Sequence, residues 1–301
     1  MRVFLIGGTG YIGRAVTAVL AEHGHTPVVL ARSAQSRSKV VEPRAEIVDG
    51  SIADLDVLLR EVAKADAVIY LAVAGMQGAT SDDDAAIDAI LGAYEGTGKS
   101  FILTSGLAVY LGVDTPIVTS TTDTSKTSPS QSWRVSLEHR VLSAARQGIR
   151  TLVVRPPIVY GRGGASAVLL GYLDYVAAGN PAFFVGDGDN RIPTVHVDDL
   201  ARAYDLALAA APAGSSYNVA SGSILGYDLA KLAAVRAGST AEPKGVSFSE
   251  GQSAIGPAVG ALAMNLNISE WQLATVLGWY GGEPTLALTL AQGGLPGTVS
   301  V

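Results

Sequence analysis

Four apolar residues, Val3-Phe4-Leu5-Ile6, run straight into Gly7-Gly8-Thr9-Gly10-Tyr11-Ile12-Gly13. Glycines at 7, 10 and 13 directly after a strand-length apolar run call for a tight turn from a buried strand into a helix. Such a turn brings backbone close to an anion and aims the unpaired N–H groups and positive end of the helix at it. A glycine triplet alone is a weak signal, but its place between strand and helix is the context of a dinucleotide pyrophosphate site. Gly7, Thr9, Gly10, Tyr11, Ile12 and Gly13 are therefore the first expected cofactor-binding residues.

The chain then alternates strand-length apolar runs with helix-period stretches, the pattern of an α/β protein with a parallel sheet covered on both faces. Strands are expected at Arg2–Ile6, Pro27–Ala31, Glu46–Val48, Ala67–Ala72, Ser100–Ser105 and Thr151–Arg155. Ile12, Val16, Val19 and Leu20 recur at helical spacing, as do Leu55, Leu58, Leu59 and Val62. A further helix over Ser132–Gln147 places Trp133, Leu137 and Val141 on one stripe and stops at Gly148. Ten of the 14 residues of Thr119–Ser132 are Ser or Thr, which reads as a long polar loop, either a solvated connection or a lid. Asp198 or Asp199 is expected to cap the helix that follows Val197, and Asp82-Asp83-Asp84 after Ser81 to cap another.

Composition closes off other classes. The length of 301 residues suits one large domain with a smaller companion, and 48% hydrophobic against 16% charged residues excludes disorder as the main state. Mean hydropathy is +0.32, yet no apolar run approaches the ~18 residues a spanning helix needs. The opening apolar run is too short for a signal-peptide core. Absence of cysteine rules out disulfides, thiolate zinc sites and thiol catalysis, and a net charge of −6 argues against nucleic acid as a partner. His23, His25, His139 and His196 do not form a metal-binding pattern. A cytoplasmic protein with a small-molecule substrate and no membrane partner is expected, and a homodimer stays open.

Cofactor choice is read at the end of the second strand, where a carboxylate would favour NAD and a cation a 2′-phosphate. Val28-Val29-Leu30-Ala31 is followed by Arg32 and Ser33, with Arg37 and Lys39 behind and no acid before Glu42. Arg32 can grip phosphate with its fork and Ser33 can add a hydrogen bond, so NADP is expected over NAD. Leu71 and Ala72, ending the fourth strand, are expected against the same ligand.

Several further stretches complete a resemblance: Asp49 after the third strand, Thr104-Ser105-Gly106-Leu107-Ala108-Val109-Tyr110, Arg155-Pro156-Pro157-Ile158-Val159-Tyr160-Gly161, Val195-His196-Val197-Asp198-Asp199, Tyr217-Asn218-Val219 and Leu277-Gly278-Trp279. Together with the glycine turn they make nearly the whole chain similar to the extended short-chain dehydrogenase/reductase family, which contains NDP-sugar epimerases and dehydratases. The resemblance implies a Rossmann-type doubly wound parallel sheet with a smaller C-terminal substrate domain. The dinucleotide-binding unit would span 1–160 plus about 192–225, and the substrate domain about 161–191 plus 226–301. It also implies an adenine contact at Asp49, and Thr104, Pro156 and Ile158 beside the nicotinamide.

The chemistry departs from that family. Its Tyr-x-x-x-Lys is missing: alignment on Glu138 puts Arg134 at the lysine and Ser130 at the tyrosine. Gly106 stands where a hydroxyl is expected, with Ser105 one place earlier. A serine is no acid near neutrality, and losing a positioned general acid costs roughly 10²–10⁴-fold. Hydride transfer tolerates that loss when the acceptor is activated. The residues expected to carry catalysis are Ser105, Arg134 and Tyr160, with Arg134 also facing the cofactor; a surface ion pair of Arg134 with Glu138 is the plainer reading of that residue. The reading is thus an NADP(H)-dependent reductase of a small carbonyl, enone, quinone or imine. Its alternatives are an NADP-binding sensor or scaffold without turnover, and an NDP-sugar epimerase or dehydratase.

Overall fold

The computed structural model describes residues 1–72, 79–269 and 271–295, so the last six positions of the expected substrate domain lie outside the described residues. Among the described residues the main sheet has seven parallel strands: β1 (Arg2–Ile6), β2 (Thr26–Ala31), β3 (Glu46–Asp49), β4 (Ala67–Tyr70), β5 (Ser100–Thr104), β6 (Arg150–Arg155) and β11 (Ser215–Asn218). Their order is β11-β6-β5-β4-β1-β2-β3. The chain works outward from β1 to β3, then crosses back to set β4 on the other side of β1. The crevice at the carboxyl ends of β1 and β4 is therefore the switch point where open α/β sheets take ligands.

Both faces of this sheet are covered, which is why its central strands are apolar without alternation. Val3 and Leu5 pack with α1 (Tyr11–Glu22) and α7 (Val197–Ala210), through Val16, Leu20, Leu200 and Tyr204. Phe4 and Ile6 face the opposite layer of α3 (Leu55–Lys64), α4 (Ser81–Tyr94) and α5 (Ser132–Ser143), through Leu58, Val62, Ile87 and Val141. Leu55 and Leu59, one turn apart on α3, stay partly in solvent.

A second sheet, ordered β12-β10-β7-β8, joins β7 (Ile158–Gly161), β8 (Gly164–Ala165), β10 (Arg191–His196) and β12 (Gly222–Leu225). With a two-stranded pair, β9 (Phe183–Val185) and β13 (Lys244–Val246), and helices α6 (Ala167–Ala177) and α8 (Gly226–Arg236), it encloses its own core around Tyr160, Leu169, Phe183 and Leu229. The segment 192–225 is thus divided between layers. Helix α7 and β11 join the main sheet, whereas β10 and β12 turn their apolar Ile192 and Ile224 to the second core. β11 escaped the sequence reading because Ser215 and Ser216 leave it little apolar signal; it is an edge strand paired to β6 alone. The helix expected over Ser132–Gln147 is α-helical to Ser143 and tightens to a 3-10 turn from Ala144, closing on Gly148 at φ 74°.

Two helix caps differ from expectation. Helix α7 is capped by His196, whose Nδ1 accepts from the Asp198 N–H at 3.3 Å, and not by an aspartate. Asp199 is instead fully buried and receives the Gly282 N–H at 3.0 Å, while its carbonyl accepts from Trp279 Nε1 at 2.8 Å. It thereby fastens the C-terminal segment to the main sheet. The N-cap of helix α4 is Thr80, one residue before Ser81; of the three aspartates only Asp83 joins the cap, in a reciprocal box with Thr80, and all three lie in the first turn.

The carboxyl edge of β6 is organised by a buried ion pair. Arg155, 5% exposed, donates Nε and Nη2 to Glu138 of α5, itself 1% exposed, with Nη2 to Oε2 at 2.6 Å. Arg155 Nη1 reaches the Tyr110 hydroxyl at 2.5 Å and the Ser120 carbonyl at 3.0 Å. The Tyr110 hydroxyl lies 2.9 Å from the Thr119 carbonyl and 3.0 Å from Asn218 Oδ1. Ser216 Oγ adds a bond to the Ser120 carbonyl, and Ser120 Oγ meets Gln272. The start of the polar loop Thr119–Ser132 is therefore clamped to the sheet. Removing one partner of a buried pair leaves a lone charge, at a cost of about 3–5 kcal/mol. Glu138→Ala should lose stability of that size in urea unfolding, more than the exposed Asp84→Ala; equal losses would refute the clamp.

Candidate functional site

At the carboxyl ends of β1 and β4 lies a cavity of about 630 Å³, and the glycine turn forms one side of it through Gly7, Thr9 and Gly10. Gly7 adopts φ +89°, and a Cβ there would stand 2.9 Å from the backbone of Leu71 and Ala72. A Cβ on Gly13 would stand 2.3 Å from the Gly7 carbonyl oxygen. Only glycine closes this turn, and Gly13 serves it by packing helix on strand. No side chain caps α1, whose N-cap is Gly10. The first-turn N–H groups of α1 thus keep no partner inside the helix.

Leu71 and Ala72 line the cavity. Neither Tyr11 nor Ile12 lines this cavity. The Tyr11 hydroxyl turns away to the carbonyls of Gly161 at 2.8 Å and Gly164 at 2.9 Å, and Ile12 packs into the core below. Tyr11 and Ile12 were expected at the cofactor as residues of the turn; their side chains face away from this cavity.

The end of β2 carries the cationic wall. Arg32 and Lys39 line the cavity together with Ser36. Ser33, expected on the ligand, instead caps the short helix α2 (Ala34–Arg37), its Oγ accepting from the Ser36 N–H at 3.1 Å. The sequence spacing Ser33-x-x-Ser36 was the available signal for that cap. Asp49, expected at the adenine, does not line the cavity: its carboxylate pairs with Arg37 at 3.0 Å at the exposed rim, and Gly50, Ser51, Ile52 and Ala53 form the wall. Two acids, Asp82 and Asp83, also line the cavity; Asp82 has no hydrogen-bond or ion-pair partner among the described residues, whereas Asp83 and the more distant Glu42 are engaged elsewhere. Asp83 takes the Tyr70 hydroxyl at 2.6 Å and the Thr80 N–H at 2.8 Å, and Glu42 is held by Arg44, which keeps its carboxyl below the usual range.

Past β5, the expected reaction residues part company. Thr104 Oγ1 is bonded to the buried Tyr204 hydroxyl at 2.6 Å. Ser105 donates its N–H to the Val154 carbonyl at 2.7 Å, and its buried Oγ has no partner among the described residues. Arg134 does not pair with Glu138, which belongs to Arg155. Its guanidinium lies 4.5 Å from the Trp133 ring centroid and donates Nε to Gln131 Oε1 at 3.4 Å. Burial pushes the Arg134 pKa down, with Glu138 opposing more weakly. A largely buried cation without a carboxylate partner among the described residues is an attractive place for an anion or a polarised oxygen.

Tyr160 is not a free acid. Its ring is 1% exposed and edge-on to His196, its hydroxyl donates to the Pro284 carbonyl at 2.8 Å, and burial raises its pKa. Ile158 sits beside it in the second core, and the buried Pro156 offers its carbonyl to the Leu107 N–H at 3.0 Å. These three hold the chain beyond β6 in place and do not line the cavity. Among the described residues no group of three acidic or histidine side chains could hold a metal ion, and no helix is long and apolar enough to cross a membrane.

Known proteins place this architecture. The family model described as NAD dependent epimerase/dehydratase matches residues 3–220. The 2-alkyl-3-oxoalkanoate reductase of Stenotrophomonas maltophilia is 27% identical over 309 aligned positions, covering 97% of this chain and 88% of that one. An uncharacterized Saccharomyces cerevisiae protein is 30% identical over 72% of this chain and 74% of its own. DesIV, a dTDP-glucose 4,6-dehydratase from Streptomyces venezuelae solved with NAD and TYD bound, shares the fold with a TM-score of 0.78 at 21% identity, over 97% and 95% of the two chains. With its doubly wound sheet, its glycine turn and a match over most of its length, the chain belongs to the NAD dependent epimerase/dehydratase family, within the extended short-chain dehydrogenase/reductase group.

Proposed function

We propose that this protein is an NADP(H)-dependent reductase acting on a small carbonyl or conjugated acceptor. The observation that carries the reading is the wall at the end of β2, where Arg32 and Lys39 face the cavity beside the uncapped start of α1. The residues fit such a cofactor. Gly7 and Gly13 leave no room for a Cβ, and the Gly10 N–H is turned to the Gly7 carbonyl at 3.0 Å, so the first-turn N–H groups of Tyr11 and Ile12 would meet a diphosphate directly. Arg32, Lys39 and Ser36 would hold the 2′-phosphate, and Gly50 to Ala53 with Leu71 would flank the adenosine. When bound, the reduced dinucleotide supplies a hydride to the acceptor carbon.

What this chain adds at the reacting end is positive charge and a hydroxyl. Arg134 would hold ribose or the acceptor oxygen, and Ser105 would offer a hydrogen bond to that oxygen. Neither supplies a proton as a tyrosine with a neighbouring lysine would. That suits an acceptor whose carbon is already activated. The S. maltophilia relative, named for a 3-oxoalkanoate, is in keeping with a ketone made electrophilic by its neighbour.

Two further readings rest on specific observations. The family match favours an NDP-sugar epimerase or dehydratase, for which an NDP-dependent rise in melting temperature is the discriminating result. The serine at position 130 favours a dinucleotide sensor, marked by tight NADPH binding without turnover.

NADPH mixed with aldehydes, quinones, enones and imines should lose its nicotinamide absorbance with at least one class; none reacting would overturn the reductase reading. Arg32→Asp should weaken NADPH at least about tenfold, equivalent to ~1.4 kcal/mol, and leave NADH little changed. Equal losses for both would refute the 2′-phosphate role. For Arg134→Ala we expect weaker cofactor binding and slower turnover, and unchanged values of both would return Arg134 to a purely structural place beside Trp133.

A further inference from the structure

A second cavity, of about 330 Å³, opens across the first turn of α1 from the dinucleotide cavity, and the two share no residue. One wall is the outer face of α1, with Tyr11, Arg14 and Ala18; another is the chain at Val40 and Glu42; the third is the turn at Arg162 between β7 and β8. The nicotinamide reading uses none of these side chains.

The chemistry of the walls is uneven. Arg14 has no ion-pair partner among the described residues, and Glu42 across the cavity is already held by Arg44 Nε at 2.7 Å. Arg162 is bound on one side only, Nε to Asp198 at 2.6 Å. It is also the single non-glycine with positive φ among the described residues, at 48°. Glycines 161 and 163 on either side take positive φ without penalty, yet this position carries a long cationic side chain in a backbone state that disfavours it. A residue held against its preference beside a cavity points to a use for the side chain. The turn is kept in that state by the Tyr11 hydroxyl, which grips the Gly161 and Gly164 carbonyls and stays neutral because burial raises its pKa. The rest of the lining is aliphatic, chiefly Ala15, Ala18 and Val40.

We infer that this cavity is a second ligand site, for a small organic anion with a carboxylate on an apolar or aromatic body. Arg14 and Arg162 take the charge, and the aliphatic walls take the body. The occupant bridges α1 to the β7–β8 turn. Because Gly8 and Tyr11 belong both to this cavity and to the turn that holds the dinucleotide phosphates, the two sites are linked. Whatever one ligand does to the affinity of the other, the second does to the first in equal measure.

The test uses the full chain labelled with nitrogen-15 and titrated with benzoate, neutral benzamide and inorganic phosphate, without dinucleotide and then with NADPH. Benzoate should give saturable shifts of the Gly163, Gly164 and Ala18 amides in the millimolar range, with benzamide and phosphate at least tenfold weaker. Arg14→Met keeps the apolar stem, and Arg162→Gly suits the observed φ, so both should fold as the parent does by thermal melting. Each should weaken benzoate about tenfold or more, roughly 1.4 kcal/mol. No saturable shift, benzamide binding as well as benzoate, phosphate binding as well as benzoate, or parental affinity in both variants would overturn the assignment. The amides around the cavity are read without dinucleotide, so failure here is separable from failure of the NADPH reading.

Discussion

A side chain at position 13 would collide with the carbonyl of residue 7, and one at position 7 would collide with the end of β4. That double contact lets α1 leave β1 at once, in close packing against the sheet. Everything else at the switch point follows from it. The helix starts without a side-chain cap, so its free N–H groups and dipole look outward over the crevice. The second and fourth strands then present their ends, Arg32 and Leu71, around the same opening. A larger residue at 7 or 13 would push the helix off the sheet and close the site with one change.

The carboxyl end of β6 depends on a different interaction. Arg155 ends β6 directly after Leu152, Val153 and Val154, and spends its guanidinium on Glu138, Tyr110 and the Ser120 carbonyl. The ion pair joins α5 to β6, and its remaining donors pin the first turn of the Ser/Thr-rich loop. The loop is thus an anchored wall at its beginning, not a lid free along its whole length. Taking Glu138 for this purpose also leaves Arg134, one turn earlier on α5, without a carboxylate partner among the described residues. One arginine takes the buried carboxylate and the other is left without one, a division that sequence spacing alone does not show.

The parts of the fold that were legible share a physical trait: each is fixed by local backbone or by a strong apolar period. The glycine turn, the buried parallel strands and the stripe on α1 are of this kind. β11 was hidden because an edge strand with two serines has no apolar run to show. The layer assignment of β10 and β12 depends on which core Ile192 and Ile224 enter, and that is decided by distant partners. Within the site, the same limit applies. The place of Arg32 at the cavity was readable because it directly follows a strand, while the orientation of Tyr11 and the pairing of Asp49 with Arg37 depend on contacts that no spacing encodes. Tyr160 looked like a reactive phenol beside the sheet edge, but its hydroxyl is bound to a carbonyl more than a hundred residues away. The Glu138–Arg155 pair left one clue, a carboxylate and a guanidinium each interrupting an apolar pattern.

Three conditions meet at one crevice: backbone donors without partners, the cations Arg32 and Lys39 on one wall, and Ser130 just before α5 with Arg134 on it in place of the family's tyrosine and lysine. The first is the one on which the others rest. It is tested most directly by titrating the purified protein with NADPH and NADH while following nicotinamide fluorescence, alongside Gly13→Val. Saturable binding by the parent, tighter for NADPH and abolished in a variant that remains folded, is the expected result. A parent chain that binds neither dinucleotide at millimolar concentration, or a Gly13→Val protein that binds as the parent does, would contradict the account.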